Sequence, residues 1–242
     1  MSNAAIIIIG DEVLSAKIND TNGPYAARRL RHWGVSLRRI ATVSDRVDEI
    51  VAELDHCRHR FDSVFTSGGI GPTHDDVTIA AVAQAFGVPV ERAPLIVEKL
   101  RSARGEDPPE ALLRLADVPQ GTELLAGPLE WLAVIRIGNV YVLPGIPELF
   151  EQLFDSLEGR LRSEPFIGRA IFLSCDEPEL AALLTRVQLA APGVAIGSYP
   201  KLRGEYRTKV TCEARELAAV QAVVAALLAE IPRSAVLRVE PF

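Results

Sequence analysis

Ala4–Ile9 carries six apolar side chains in a row, four of them isoleucine. A β-branched run with no polar alternation marks a central strand covered on both faces, and such strands belong to parallel sheets flanked by helices. Gly10-Asp11-Glu12 ends the run. Thr21-Asn22-Gly23-Pro24 then gives a turn and a helix start, and Tyr25–Trp33 a helix closed by Gly34 in the C′ manner. Val35–Val43 reads as a second strand. Ser44-Asp45 caps a helix over Val47–His59, and Phe61–Thr66 reads as a third strand. This βαβαβ alternation predicts a parallel, doubly wound α/β sheet.

Glu91–Arg104 reads as a helix broken by Gly105–Pro109. Trp131–Ile137, the pair Gly138-Asn139 and Val140–Leu143 read as a hairpin, followed by a helix over Glu148–Leu161. Ser163-Glu164-Pro165 marks a boundary, so the chain divides into units 1–162 and 163–242. Beyond it the pattern is strand Arg169–Leu173, helix Glu177–Ala190, strands Val194–Ser198 and Tyr206–Glu213, helix Leu217–Glu230 and a last strand Val236–Val239. That βαββαβ order predicts a small ferredoxin-like α+β module.

The densest chemistry lies in Thr66–Thr78, Thr-Ser-Gly-Gly-Ile-Gly-Pro-Thr-His-Asp-Asp-Val-Thr. It joins the third strand to an Ala-rich helix over Ile79–Phe86. Glycines let backbone N–H groups approach an anion, and a helix N-terminus adds positive potential. Asp75 and Asp76 oppose an anion at the same place. A divalent cation between a carboxylate and a phosphate resolves the conflict. The same residues also suit a purely structural turn, since Thr73 and Asp76 have capping-box spacing and acids favour a first helical turn.

In doubly wound sheets ligands sit beyond the carboxyl ends of the strands, where the strand order reverses. If strand two lies outside strand one and strand three on its other side, Gly10-Asp11-Glu12, Asp45 and Ser67–Asp76 converge at one rim. Taken singly, Asp11 and Glu12 suit a solvated turn, Asp45 an N-cap, and His74 an exposed turn residue. Lys17 and Lys201 read as surface lysines, and Tyr25 and Trp33 as packing residues.

Composition narrows the partners. The net charge is −6 with no basic cluster, which does not favour nucleic acid. No run approaches a membrane span, and Ile6–Ile9 is too short for a signal segment. Cys57, Cys175 and Cys212 form neither a zinc pattern nor a disulfide framework and read as small buried hydrophobes of a reducing compartment. The expected location is the cytoplasm.

Ile9-Gly-Asp-Glu-Val-Leu14, Asp20-Thr-Asn22, Ser44-Asp45, Ser67–Thr78 and Leu143-Pro-Gly-Ile-Pro147 resemble the molybdopterin-binding domain superfamily, most nearly its CinA-like (competence/damage-inducible A) members and the N-terminal domain of animal-type FAD synthases. The likeness spans roughly residues 4–160, and Ile196-Gly-Ser-Tyr-Pro200 is similar to the small domain that follows in those proteins. The resemblance implies a three-layer α/β/α sandwich with a mostly parallel sheet and one antiparallel strand. It implies a pterin phosphate or adenine dinucleotide as ligand, a divalent metal such as Mg2+ and, in some members, K+, and a homo-oligomer, dimer or trimer. Asp76 and Asp45 match functional acids of the adenylyl-transfer members, and Gly68, Gly69 and Gly71 match phosphate-loop positions.

Gly10, Asp11, Glu12, Ser67, Thr73, Pro144 and Gly145 complete the expected ligand set, with Asp76, Asp75 and Asp11 as metal ligands. Ala126–Leu132 departs from the Gly-Thr-Ala-Pro-Gly segment of many CinA-like proteins, so the substrate stays open. The chain is too short for the amidase domain of longer members, and without a nucleotidyl-transferase domain FAD synthesis is not expected. The leading expectation is metal-dependent hydrolysis of a nucleotide pyrophosphate such as ADP-ribose or FAD. The alternatives are pterin binding or adenylyl transfer in molybdenum-cofactor assembly, and ligand binding without catalysis.

Overall fold

In a computed structural model, described for residues 2–104, 107–129 and 131–241, the chain forms two compact units, Met1–Ser163 and Glu164–Phe242. The first contains, in order, β1 (Asn3–Ile9), α1 (Asp11–Leu14), α2 (Asn22–His32), β2 (Ser36–Val43), α3 (Val47–Arg58), β3 (Ser63–Ser67), α4 (Thr78–Phe86) and β4 (Val90–Arg92). It continues through α5 (Pro94–Arg104), α6 (Glu110–Leu113), β5 (Asp117–Pro119), β6 (Glu123–Ala126), β7 (Ala133–Ile137), β8 (Val140–Leu143), α7 (Pro147–Asp155) and α8 (Glu158–Leu161).

Six strands form one sheet in the order β2-β1-β3-β8-β7-β6. The first four are mutually parallel, and β7 runs antiparallel to β8 and to β6. The expected switch point therefore falls between β1 and β3. None of the six residues Ala4–Ile9 is more than 4% exposed. Period two sends alternate side chains to opposite faces. Ala5, Ile7 and Ile9 join a core with Ile50 and Leu54 of α3 and Ala81 and Val82 of α4. Ala4, Ile6 and Ile8 join another with Leu30 of α2, Trp33, and Phe150 and Phe154 of α7. Helices on both faces of a mostly parallel sheet make the three-layer sandwich that the run of isoleucines implies. Trp33 stacks on Phe154 at 5.2 Å and Tyr25 meets Phe150 edge-on at 6.5 Å, so both are packing residues.

Several boundaries differ from the sequence expectation. Helix α2 begins at Asn22, because Asp20 accepts the N–H groups of Asn22 and Gly23 and caps the first turn. The helix expected from Glu91 begins at Pro94, and Val90–Arg92 instead pairs with Asp117–Pro119 as a two-stranded ribbon. The expected break at Gly105–Pro109 begins outside the described residues, which omit 105 and 106. The helix expected over Glu148–Leu161 is divided at Ser156 and Leu157.

The second unit contains β9 (Ile167–Leu173), α9 (Glu177–Ala190), β10 (Ala195–Pro200), β11 (Thr208–Ala214), α10 (Leu217–Glu230) and β12 (Val236–Pro241). The sheet is antiparallel, in the order β10-β11-β9-β12. That is the ferredoxin-like arrangement. Its core gathers Ile171, Val210 and Cys212 of the sheet with Leu180 and Val187 of α9 and Val220, Val223 and Leu227 of α10. Cys57 and Cys212 are buried and Cys175 half-buried, all as free thiols. Among the described residues no helix is long and apolar enough to cross a membrane.

Candidate functional site

The parallel register sets four strand ends level. Ile9 lies opposite Val43, Ile8 opposite Ser67, and Ser67 opposite Leu143. Gly10 N–H still donates to Val43 O (3.1 Å) and Gly68 N–H to Leu143 O (3.2 Å), after which the chains leave the sheet. The segments beginning at residues 10, 44, 68 and 144 thus share one rim, where a cavity of about 620 Å3 opens.

Close backbone approach explains the glycines. Gly68 has φ +111°, and a Cβ there would lie 2.2 Å from Ile9 O. Gly145 packs on Gly68, where a Cβ would lie 3.1 Å from Gly68 Cα. Gly69 (φ +66°) turns the chain so that Thr78 Oγ1 donates to Gly68 O (2.9 Å) and Thr78 N–H to Gly69 O (3.0 Å). A side chain on Gly71 would meet Asp76 Oδ2 at 2.6 Å. The Gly68 amide is committed to the sheet, so the amides of Gly69, Ile70 and Gly71 are the ones left for an anion.

Asp75 and Asp76 stand before α4, not in its first turn, because Val77 is the N-cap. The expected capping box gives way to a tighter knot. Thr73 N–H donates to Asp76 Oδ2 (2.7 Å), and Thr73 Oγ1 lies 2.6 Å from both Asp75 Oδ1 and Asp76 Oδ2. A hydroxyl has one proton to give, so one of those two carboxylate contacts is uncompensated. A cation bound there relieves it. The Thr73 hydroxyl and its own backbone N–H hold the Asp75 carboxyl below the usual range. His74 is 98% exposed and stands 3.9 Å from Asp75 Oδ1.

Asp45 does not cap α3, whose N-cap is Arg46 with no side-chain bond. Its Oδ2 accepts the Asp11 N–H at 2.8 Å, because the register places Gly10-Asp11 beside the end of β2. Burial pushes the Asp45 carboxyl above its ordinary value, the Asp11 N–H pulls it back, and the charges of Glu12, Asp11 and Asp75 push it up again. Those couplings, together with the knot around Thr73, put the expected acids in one neighbourhood. Glu12, Asp45, Ser67, Gly68, Gly69, Gly71, Thr73, Asp75, Asp76, Pro144 and Gly145 all line the cavity. Gly10 and the exposed Asp11 are not part of that lining; Asp11 contributes its backbone N–H to Asp45, and its carboxylate does not join Asp75 and Asp76 in a three-acid metal group.

Among the described residues no three His, Cys, Asp or Glu side chains form a group able to hold a metal unaided. The donor set instead fits a Mg2+-like cation held by one or two carboxylates and completed by phosphate oxygens and water. Lys17 is exposed and outside the lining, and Lys201, in the second unit, lies over the Tyr206 ring.

Other residues of the site gave no separate chemical signal in the sequence. Asn22 is 5% exposed and lines the cavity. Its Nδ2 donates to Ser67 Oγ and Gly145 O, both at 2.9 Å. A carbonyl can only accept, which fixes the amide orientation, and Oδ1 is left without a protein donor. Ser67 Oγ passes the chain on to Pro144 O (3.3 Å). This network ties the ends of β3 and β8 to α2. One apolar wall carries Ile70, Ile79, Ile96, Leu115 and Ile135 from one core, and Val13 and Leu132 bring in the other. Trp131 also lines the cavity. Of the divergent segment Ala126–Leu132, Glu130 lies outside the described residues. The cavity therefore joins a glycine turn and several carboxylates to an apolar surface large enough for a ring.

A family model described as "Probable molybdopterin binding domain" matches residues 5–163, and one described as "FAD synthase, middle domain" matches residues 165–240. A "Probable FAD synthase" of Caenorhabditis elegans is 33% identical over 93% of this chain. The chain spans about half the length of that relative, 49%. A "CinA-like protein" of Myxococcus xanthus is 37% identical over 62% of this chain and 37% of its own. The crystal structure of the protein CinA from Thermoplasma acidophilum, of unknown function, superposes with a TM-score of 0.61 at 27% identity, covering 66% of this chain and 98% of that one. The chain belongs to the molybdopterin-binding domain family, and within it resembles both the CinA-like proteins and the FAD synthases.

Proposed function

We propose that the N-terminal unit hydrolyses a nucleotide pyrophosphate of the ADP-ribose or FAD kind. The observation that carries this reading is the Thr73 hydroxyl held 2.6 Å from two carboxylates beside a glycine turn, an arrangement that favours a cation and a phosphate together. The amides of Gly69–Gly71 hold a phosphate, and Asp76 and Asp75 hold the cation. Bound there, a divalent cation neutralises phosphate charge. Asp45, partly buried and with its proton affinity raised, orients a water and takes its proton as the water oxygen bonds to phosphorus. The P–O bond of the bridge then breaks, and the second phosphate leaves as an anion. Positioning and charge neutralisation dominate such transfers.

The test is release of AMP from ADP-ribose, FAD or NAD with Mg2+, Co2+ or Ni2+, with and without K+. Turnover is expected with at least one pair, and Asp76→Asn lowers it about a hundredfold. No AMP in any combination overturns the reading. The family's pterin-binding description favours a second reading, adenylyl transfer to molybdopterin, which shows itself as pyrophosphate release from ATP only when molybdopterin is present. Binding without turnover, unaltered by Asp76→Asn, marks a non-catalytic protein. A cytoplasmic homo-oligomer, dimer or trimer, belongs to the same proposal, and light scattering reports its size.

A further inference from the structure

Every carboxylate that lines the cavity, among the described residues, sits on a segment following β1, β2 or β3, with one exception, Asp117. Asp117 stands at the start of β5, directly across the ribbon from Arg92 of β4. The same cavity is lined by Ile96 of α5 and Leu115, members of the apolar wall. Arg114 Nη1 donates to Pro72 O (3.2 Å), so this segment is tied to the glycine turn.

A carboxylate among apolar groups is costly unless partnered. Arg92 supplies the partner, with Nε to Oδ1 at 2.8 Å and a longer Nη2 contact to Oδ2 at 3.4 Å, which leaves lone pairs of Oδ2 for a further donor. Neutralising Arg92 does not by itself call for Asp117, because Glu110 already grips the guanidinium with both oxygens, at 2.8 and 3.2 Å. Asp117 is thus an acceptor held in place by a paired ribbon, and it keeps 28% of its side chain accessible. An ionised carboxylate only accepts, so it selects donors.

We infer that Asp117 is a specificity-determining residue whose carboxylate accepts a hydrogen bond from an N–H on the planar ring of the ligand. This rests on the proposal above that the ligand is a ring-bearing nucleotide with its phosphates at the glycine turn. The apolar wall and Trp131 cover the ring, and Asp117 reads its edge. A site built around such a bond rejects analogues that lack the donor.

Binding of AMP and FMN is compared by calorimetry with binding of N6,N6-dimethyl-AMP, which lacks the amino N–H on the ring edge, of N3-methyl-FMN, which lacks the ring N3–H, and of ribose 5-phosphate, which lacks the ring. The wild-type protein is expected to bind at least one parent about tenfold more tightly than its methylated partner. Asp117→Ala, which removes the acceptor, is expected to bind that pair equally and to leave ribose 5-phosphate unchanged. Failure of the wild-type protein to bind either parent, or to discriminate in either pair, overturns the inference whether or not the variant folds. Discrimination that persists in Asp117→Ala, or parent and methylated probe weakened alike, overturns it too. Binding is read without turnover, so absence of AMP release sinks the hydrolase proposal and leaves this result standing.

Discussion

The two units cover a sheet with helices in different ways, and only one of them gathers chemistry by doing so. In the N-terminal unit four parallel strands end together, and residues as far apart in the chain as Gly10 and Gly145 meet at one rim. In the C-terminal unit neighbouring strands run in opposite directions, so adjacent ends fall at opposite edges. Its polar side chains engage one another or aromatic rings in separate pairs: Arg207 with Asp176, Lys209 over Tyr199, Arg238 over Phe172. Direction of pairing, more than composition, decides which unit concentrates carboxylates around a cavity.

If convergence at the rim is what matters, the backbone contact that permits it should be the most sensitive point in the chain. Gly68→Ala adds a Cβ 2.2 Å from Ile9 O at φ +111°. Left-handed strain and a collision with backbone together cost about 4 kcal/mol, and binding at the glycine turn is lost with them. Gly87→Ala is the control, because φ is +67° but nothing lies within 4 Å. It costs about 1 kcal/mol. Urea unfolding of both variants measures the difference, and equal costs break the claim of close approach.

The C-terminal unit should respond to packing instead. Leu227 of α10 is fully buried in its core. Leu227→Ala leaves a cavity and costs about 3 kcal/mol. The expected outcome is a lower unfolding midpoint with AMP release at 25 °C unchanged. A parallel loss of turnover in the folded variant shows that the second unit contributes to the site, and the contrast between the units fails.

How much of this was legible in the sequence differs between elements for physical reasons. Ala4–Ile9 could only be a strand covered on both faces, and its alternate side chains do enter two cores. Glu177–Ala190 and Leu217–Glu230 carry a long helical pattern and fold as read, to the residue. The hairpin turn at Gly138-Asn139 lies where expected, with Gly138 at φ 56°. Val90–Arg92 and Asp117–Pro119 are three residues each, too short to show a period, so one strand of the ribbon overlaps the helix expected from Glu91 and the other, with Asp117, carries no signal of its own. The cap role that Asp45 suits when taken singly fails for a related reason, while its place at the rim among the acids holds. A local rule ranks its nearest helix first, whereas the parallel register brings Asp11 N–H within 2.8 Å. Asn22 belongs to a segment that carries the family resemblance, but its role is not legible for the same cause, since its partners Ser67 and Gly145 are distant in the chain.

The smallest effect is the most specific, because it separates an N-cap from a member of the acid cluster. Burial and then the charges of Glu12, Asp11 and Asp75, opposed by the Asp11 N–H, raise the Asp45 carboxyl above 3.8 in the folded protein. A carboxyl with a raised folded value holds its proton more tightly folded than unfolded. Its contribution to stability is therefore fully present below pH 3.8 and is lost as the pH climbs through the interval up to the raised value, so at pH 7 the ionised group is a cost. Asp45→Asn removes the charge and keeps an oxygen for the Asp11 N–H. Thermal melts from pH 3 to 7 should show the variant about 2 °C more stable at pH 7, the gain shrinking to nothing below pH 3.8. AMP release should fall in the same variant, stability and activity moving in opposite directions as they do where charges are held for chemistry. A plain cap predicts neither. An Asn variant indistinguishable from wild type at every pH would return Asp45 to the surface and leave the rim with one acid knot, at Thr73, instead of a cluster.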